Sequence, residues 1–296
     1  MSETATAYNA AFYDQQADSS ALSASVMLGC LFERFQPASV VDVGCGVGTW
    51  LQVCRDLGVD DVLGIDGDYV ARDRLRIPPQ RFAPANVTDP VDVATKSGGR
   101  RFDLAISLEV AEHLPQSEAG RFVRTLTELS DRVLFSAAIP YQGGTNHIHE
   151  NWQEHWAILF RAAGYEVVDL FRARLWGDRR VSFWYRQNAF LFVRKGSRAE
   201  AEFASDAGLR FPLSAVHPEM LAWASSRLGR APGGTLERDA EIHASLVAAN
   251  LRGATSAPEP GHAYGPEFDY RYGGFKDRLP APVRRAAKAA LRLVKR

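Results

Sequence analysis

Short, continuously apolar runs recur along the first two thirds of the chain, and most are followed by a segment whose apolar residues keep helical spacing. Ser39–Val43, Asp61–Ile65, Arg81–Ala83, Asp103–Leu108, Arg132–Ser136, Glu166–Leu170 and Asn188–Val193 read as strands. Several do not alternate apolar with polar positions, which predicts strands buried on both faces. Strand and helix alternating at this spacing predict an α/β fold: a doubly wound, seven-stranded, mostly parallel sheet with helices on both sides. No helical pattern separates the last two runs, so a long hairpin and an antiparallel final strand are expected there. Residues 1–35 read as an N-terminal helical arm, in which Ser19 and Ser20 cap a helix over 20–35 with Leu22, Val26, Leu28 and Leu31 on its apolar face.

The strand–helix pattern ends near residue 196. Residues 197–252 are Ala-rich and read as a helical appendage, 253–282 as a Gly/Pro/Tyr-rich linker, and 283–296 as a basic helical tail. Charge changes the picture only at that tail. Lys and Arg (35) balance Asp and Glu (35) overall, yet 283–296 carries six basic residues and no acid, leaving −6 on the rest. A net acidic body argues against sequence-specific nucleic acid as a partner, whereas the tail suits weak contact with an anionic membrane surface, contact with nucleic acid or a plain solvated helix end. With 46% hydrophobic and 24% charged residues, the composition is that of a globular protein. Cys30, Cys45 and Cys54 match no zinc or disulfide spacing, which predicts a reducing, cytoplasmic setting, peripheral to the inner face of the membrane if the tail binds there. No apolar run is long enough to span a bilayer, and MSETATAYNA lacks the basic start and apolar core of a signal peptide.

The strongest chemical signal is the strand Val40–Val43 running into Gly44, Gly46 and Gly48 at alternate positions and then into a helix. Glycines at such a turn permit positive φ and close approach of a ligand to the backbone, and amides at a helix start favour a negative group. A dinucleotide fold calls for G-x-G-x-x-G; here Thr49 stands where the third glycine would fall, and Asp42 precedes the turn. A carboxylate there suits a cationic ligand better than a pyrophosphate. The second strand ends in Asp66, 22 residues after Gly44, where an acid can accept both ribose hydroxyls of an adenosine. Asn86 follows the third strand and either meets an adenine edge or forms an Asx turn.

DVGCGVGTW, LGIDGD and FDLAISLEVAEHLP resemble the successive motifs of class I S-adenosylmethionine (SAM)-dependent methyltransferases, over roughly residues 8–195. The stretch from Ser136 to Val193 is similar to bacterial methyltransferases that tailor sugars, polysaccharides and natural products. The resemblance implies that Gly44, Gly46 and Gly48 pack on the methionine moiety of SAM and that Asp42 reaches its ammonium. It further implies that Asp66 and Gly67 hold the ribose, that Asn86 and Val87 frame the adenine, and that Ser107, Leu108 and Glu109 lie beneath the sulfonium.

Glu109, Glu112 and His113 stand at i, i+3 and i+4, one face of a helical turn at the carboxyl end of the fourth strand. Two carboxylates and an imidazole suit Mg²⁺ or Mn²⁺, with His147 as a fourth ligand from the segment after the fifth strand. ExxEH resembles the metal motif of ubiquinone-type and small-RNA 2′-O-methyltransferases; the same segment also occurs in this fold as a metal-free turn. Methyl transfer from a sulfonium is an in-line displacement governed by orientation, and an aliphatic hydroxyl needs a base or a metal to lose its proton. His147 is the first candidate base and His149 the second, with Glu109 also at the reaction centre. Trp152, Trp156, Trp176, Trp184 and Tyr185 crowd this region and either stack on sugar faces or fill the core, the core being the favoured reading for Trp152 and Trp156.

The expected function is O-methylation of a sugar hydroxyl on a glycan or glycosylated metabolite, assisted by a divalent ion. N- or C-methylation of a small metabolite without metal is the alternative, and a catalytically silent SAM-binding regulator is the non-enzyme one. A homodimer stays open.

Overall fold

The computed structural model describes residues 10–204 and 213–227. The linker and the basic tail, on which the expected membrane contact rests, lie outside the described residues. Seven strands form one sheet: β1 (Ser39–Val43), β2 (Asp61–Asp66), β3 (Phe82–Pro84), β4 (Leu104–Leu108), β5 (Arg132–Ser136), β6 (Tyr165–Val168) and β7 (Phe190–Arg194). Their order is β3-β2-β1-β4-β5-β7-β6. The first five pair in parallel, while β7 runs antiparallel to both β5 and β6. The expected fold and the antiparallel final strand are both present.

Successive side chains of a strand point to opposite faces, so each central strand feeds two cores. Val40, Leu104 and Ile106 join one cluster with Met27, Leu28 and Leu31 of α1 (Ala10–Phe32) and Leu51 and Cys54 of α2 (Thr49–Asp56). Val41, Val43 and Ala105 join the other, with Val93 of α3 (Pro90–Lys96), Phe122 and Leu126 of α4 (Ala119–Leu129) and Trp156 and Phe160 of α5 (Gln153–Ala162). Asp89 caps α3 through its side chain, accepting from the amide of Val91 at 3.0 Å, and Pro90 takes the first helical position.

Three local expectations are corrected. Helix α1 is continuous through Ser19 and Ser20, so no cap lies there; Ser23 is buried and accepts from the Ser182 amide at 3.0 Å. Leu22 is half exposed, and the inner stripe is Ala24, Met27, Leu28 and Leu31. Between β6 and β7 the chain forms two short helices rather than a plain hairpin, α6 (Arg172–Leu175) and α7 (Phe183–Asn188). Beyond β7, the described part of the appendage holds α8 (Arg198–Glu202) and α9 (Pro218–Arg227).

Candidate functional site

The strand order reverses between β1 and β4, whose carboxyl ends open the crevice in which such sheets bind ligands. The three glycines of the β1–α2 turn all have positive φ, at 84°, 53° and 83°, but they meet different surroundings. A Cβ on Gly44 would collide with the Val110 side chain, with Cγ1 at 2.7 Å, and one on Gly48 would lie 3.0 Å from Ile77. A Cβ on Gly46 would meet nothing within 4 Å. Gly44 and Gly48 are therefore glycine for internal packing, while Gly46 faces open space where a ligand can approach the backbone.

Asp66 organises this turn. Its Oδ2 accepts from the Gly46 amide at 2.7 Å, and its Oδ1 accepts from the Gly67 amide and the Tyr69 hydroxyl, both at 2.6 Å. Asp42 is buried beside it, and desolvation, then the charge of Asp66, push its carboxyl well above the usual range. Two acids in one crevice suit a ligand carrying both a cation and hydroxyl donors. Asn86 adopts the Asx-turn alternative: its Oδ1 accepts from the Thr88 amide at 3.1 Å and the Thr88 hydroxyl at 2.8 Å. Val87 packs against the core edge. Ser107 and Leu108 are buried at the end of β4, and the Ser107 Oγ has no hydrogen-bond partner among the described residues.

At the same end of the sheet, ligand atoms of Glu112, His113 and His147 lie within 4.8 Å of one another, with His147 Nε2 4.0 Å from Glu112 Oε1. Glu112 is fully buried in the single turn Ala111–His113, and among the described residues neither carboxylate oxygen has a hydrogen-bond partner. Desolvation, then the nearby Glu109 charge, raise its carboxyl well above the ordinary value. An unpartnered buried carboxylate is costly, so this donor set fits a divalent cation. His113 donates from Nδ1 to the Asn146 carbonyl, 3.2 Å away, since a carbonyl oxygen only accepts and that nitrogen must carry the proton. Burial, then His147, hold the His113 imidazole below its usual pKa, which favours the neutral form that ligates metals.

Glu109, expected in the same ligand set, is not part of this cluster. It sits at φ 55°, where its amide bonds the Ser136 carbonyl at 3.1 Å. Its Oε2 accepts from Gln142 Nε2 at 2.7 Å and its Oε1 from Asn188 Nδ2 at 3.5 Å. Burial raises its carboxyl despite these donors. His149, the second candidate base, is buried with its ring against His155 and Trp156 at 5.6 and 5.4 Å, and desolvation lowers its pKa. Trp156 and Trp176 are core residues, as favoured for Trp156, whereas Trp152 is 41% exposed.

The sequence reading missed Gln142, Asn188, Glu150 and Trp223. Asn188, at the end of α7, also donates to Gln142 Oε1 at 2.9 Å, which fixes the amide that faces Glu109. Trp223 of α9 donates Nε1–H to the Gln142 carbonyl at 2.8 Å and stays 46% exposed, and Tyr141, the residue before Gln142, is 76% exposed. The segment carrying Trp223 is tied down by Gln153 donating to the Ala215 carbonyl at 2.9 Å and by the Arg186–Glu219 ion pair at 2.9 Å. Glu150 alone had a local signal, three residues after His147.

A family model described as a methyltransferase domain matches residues 16–174, more than half of the chain. No curated protein matches it. Among solved structures, the methyltransferase domain of bacterial-CtHen1-C is 20% identical with a TM-score of 0.43, covering 58% of this chain and 97% of that one. Magnesium protoporphyrin IX methyltransferase from Synechocystis PCC 6803 with bound SAM is 18% identical, TM-score 0.43, covering 60% and 80%. An O-methyltransferase family protein from Burkholderia thailandensis is 16% identical, TM-score 0.46, covering 66% and 63%. With its glycine turn, its acidic strand end and a family match over most of the sheet, the chain belongs to the methyltransferase domain family, among the class I SAM-dependent methyltransferases.

Proposed function

We propose that the protein moves the methyl group of SAM to an aliphatic hydroxyl of a sugar-type acceptor, with a divalent cation held by Glu112, His113 and His147. The observation that carries the metal is the buried Glu112 carboxylate, without a hydrogen-bond partner among the described residues, facing two imidazoles whose Nδ1 atoms are already engaged. Two imidazoles and one carboxylate favour Mn²⁺ over Mg²⁺. When bound, such an ion lowers the pKa of the acceptor hydroxyl and orients it.

The chain's own residues do the rest. Gly46 leaves room for the methionine end of SAM, Asp42 sets a carboxylate near its ammonium, and Asp66 takes the ribose hydroxyls in exchange for the Tyr69 hydroxyl. Gln142 and Asn188 hold Glu109 at the end of β4, so that carboxylate cannot swing through the path of the transferring methyl. The new bond joins acceptor oxygen to methyl carbon as the carbon–sulfur bond breaks, the sulfur keeps the bonding pair as the neutral thioether of S-adenosylhomocysteine, and the hydroxyl proton passes to solvent water. Exposed Trp223 and Tyr141 offer the apolar faces on which a sugar ring stacks.

Metal assistance and a bare His147 base exclude each other, because both use the His147 Nε2 lone pair. Activity that vanishes in EDTA and returns with Mn²⁺ supports the first; a full rate in metal-stripped enzyme leaves His147 as the base and reopens N- or C-methylation of a metabolite.

A further inference from the structure

The loop Tyr141–Glu150 is the part of the site with the most unusual backbone. Tyr141 and Asn146 have φ of 71° and 59°, in the left-handed region that non-glycine residues avoid, and Gly143 lies there too at 64°. Gly144 closes against the His147 ring, where any Cβ would run into the Nε2 edge. Such a loop needs something to hold it, and one side chain does. Glu150 Oε2 accepts from the Tyr141 amide at 2.8 Å, while its Oε1 accepts from the Gly143 amide and meets His147 Nδ1 at 2.9 Å.

We infer that Glu150 is a positioning residue: it pins the His147 proton on Nδ1 and thereby presents the Nε2 lone pair to Glu112. A carboxylate only accepts hydrogen bonds at the pH where it is ionised, so the imidazole nitrogen facing it carries the proton and the other nitrogen is left bare. That bare nitrogen is the one 4.0 Å from Glu112 Oε1. The Asn146 carbonyl imposes the same tautomer on His113 from its left-handed turn. Glu150 holds the first residue of the loop as well as His147, so loop shape and tautomer are set by one group. Outer partners of this kind orient metal-binding histidines and raise their basicity.

The inference rests on the metal reading of the site, and the two fail separately. Full-length protein, wild type and Glu150→Gln, is titrated with Mn²⁺ alone by calorimetry. A Gln at 150 can keep only one oxygen, so it sets its amide N–H₂ against either the Tyr141 amide or the Gly143 amide and His147. Wild type should bind Mn²⁺, and Glu150→Gln should bind it 10- to 100-fold more weakly. Equal affinities in the two proteins would overturn the inference, and no binding by wild type would overturn the metal reading instead. A second measurement needs neither metal nor variant. Long-range nitrogen–proton correlation spectra of metal-free wild type, at mildly alkaline pH, should show His147 protonated at Nδ1 and bare at Nε2. The opposite tautomer would refute the role of Glu150, even where Glu150→Gln fails to fold.

Discussion

Substituting alanine at Gly44 and at Gly46 should separate stability from cofactor binding within one turn. Both residues have positive φ, and a left-handed alanine costs about 1–2 kcal/mol in either place. At Gly46 nothing more is added, since its Cβ would stand in open space. At Gly44 the Cβ would be 2.7 Å from Val110 Cγ1, with Cγ2 closer still, against the roughly 3.5–4.0 Å that carbon atoms prefer. Val110 must then retreat by about 1 Å, and overpacking of this kind costs about 1–3 kcal/mol. Gly44→Ala should therefore lose roughly 2–5 kcal/mol of stability in total. Urea unfolding followed by tryptophan fluorescence reads the stabilities, and calorimetry with SAM reads binding. Gly46→Ala should lose only the backbone cost of about 1–2 kcal/mol yet bind SAM at least tenfold more weakly, because the new methyl fills the space the ligand needs. A Gly46→Ala protein with wild-type SAM affinity, or a Gly44→Ala protein as stable as Gly46→Ala, would refute the division of roles.

The buried Glu112 makes metal-free stability depend on pH. Its folded pKa is raised, so between the unfolded value of about 4.3 and the folded one only the folded state holds the proton, and stability falls as pH rises through that window. Glu112→Gln should flatten this slope in thermal melts of metal-stripped protein; parallel curves for the two proteins would show the carboxylate to be innocent. Asp66→Ala removes an acceptor for charge-assisted bonds and should weaken SAM by about 1.5–3 kcal/mol, an effect that calorimetry would contradict by finding tight NAD(H) and no SAM binding. Trp223→Ala should raise the acceptor KM while kcat and SAM affinity stay near wild type, and an unchanged KM would remove Trp223 from the acceptor site.

The sheet was legible because its strands are short apolar runs bounded by turn residues; Ser39–Val43 and Arg132–Ser136 match to the residue. Helices α6 and α7 escaped because four and six residues of mixed Arg, Trp and Phe are too short to show a period. Ser19 and Ser20 looked like a cap because a serine pair before an apolar stripe is a common start signal, and the surrounding alanines continue the helix through it. At the site, Glu112 and His113 were visible because they are adjacent in sequence. Glu109 looked equivalent by spacing, but its left-handed backbone and the Gln142 and Asn188 amides hold it in a different network. Those amides carry no motif. Asn188 reaches Glu109 only because β7 inserts beside β5, and Trp223 reaches Gln142 across 81 residues of sequence.

The placement of β7 between β5 and β6 bears on how the chain reaches its native state. Among the described residues, strand β6 has no hydrogen-bonding strand neighbour other than β7, and β5 has one open edge until β7 fills it. During synthesis both therefore wait, with unpaired backbone and the apolar residues of the β5 edge exposed, until the chain has been made through Arg194. Pairings that close late and over long sequence separations slow folding and widen the opportunity for aggregation. A fragment cut at residue 174, where the family match ends, would make that waiting state permanent. The shortest expressible form of this methyltransferase must extend past Arg194, and retaining α9 would also keep the tryptophan that bonds the Gln142 carbonyl.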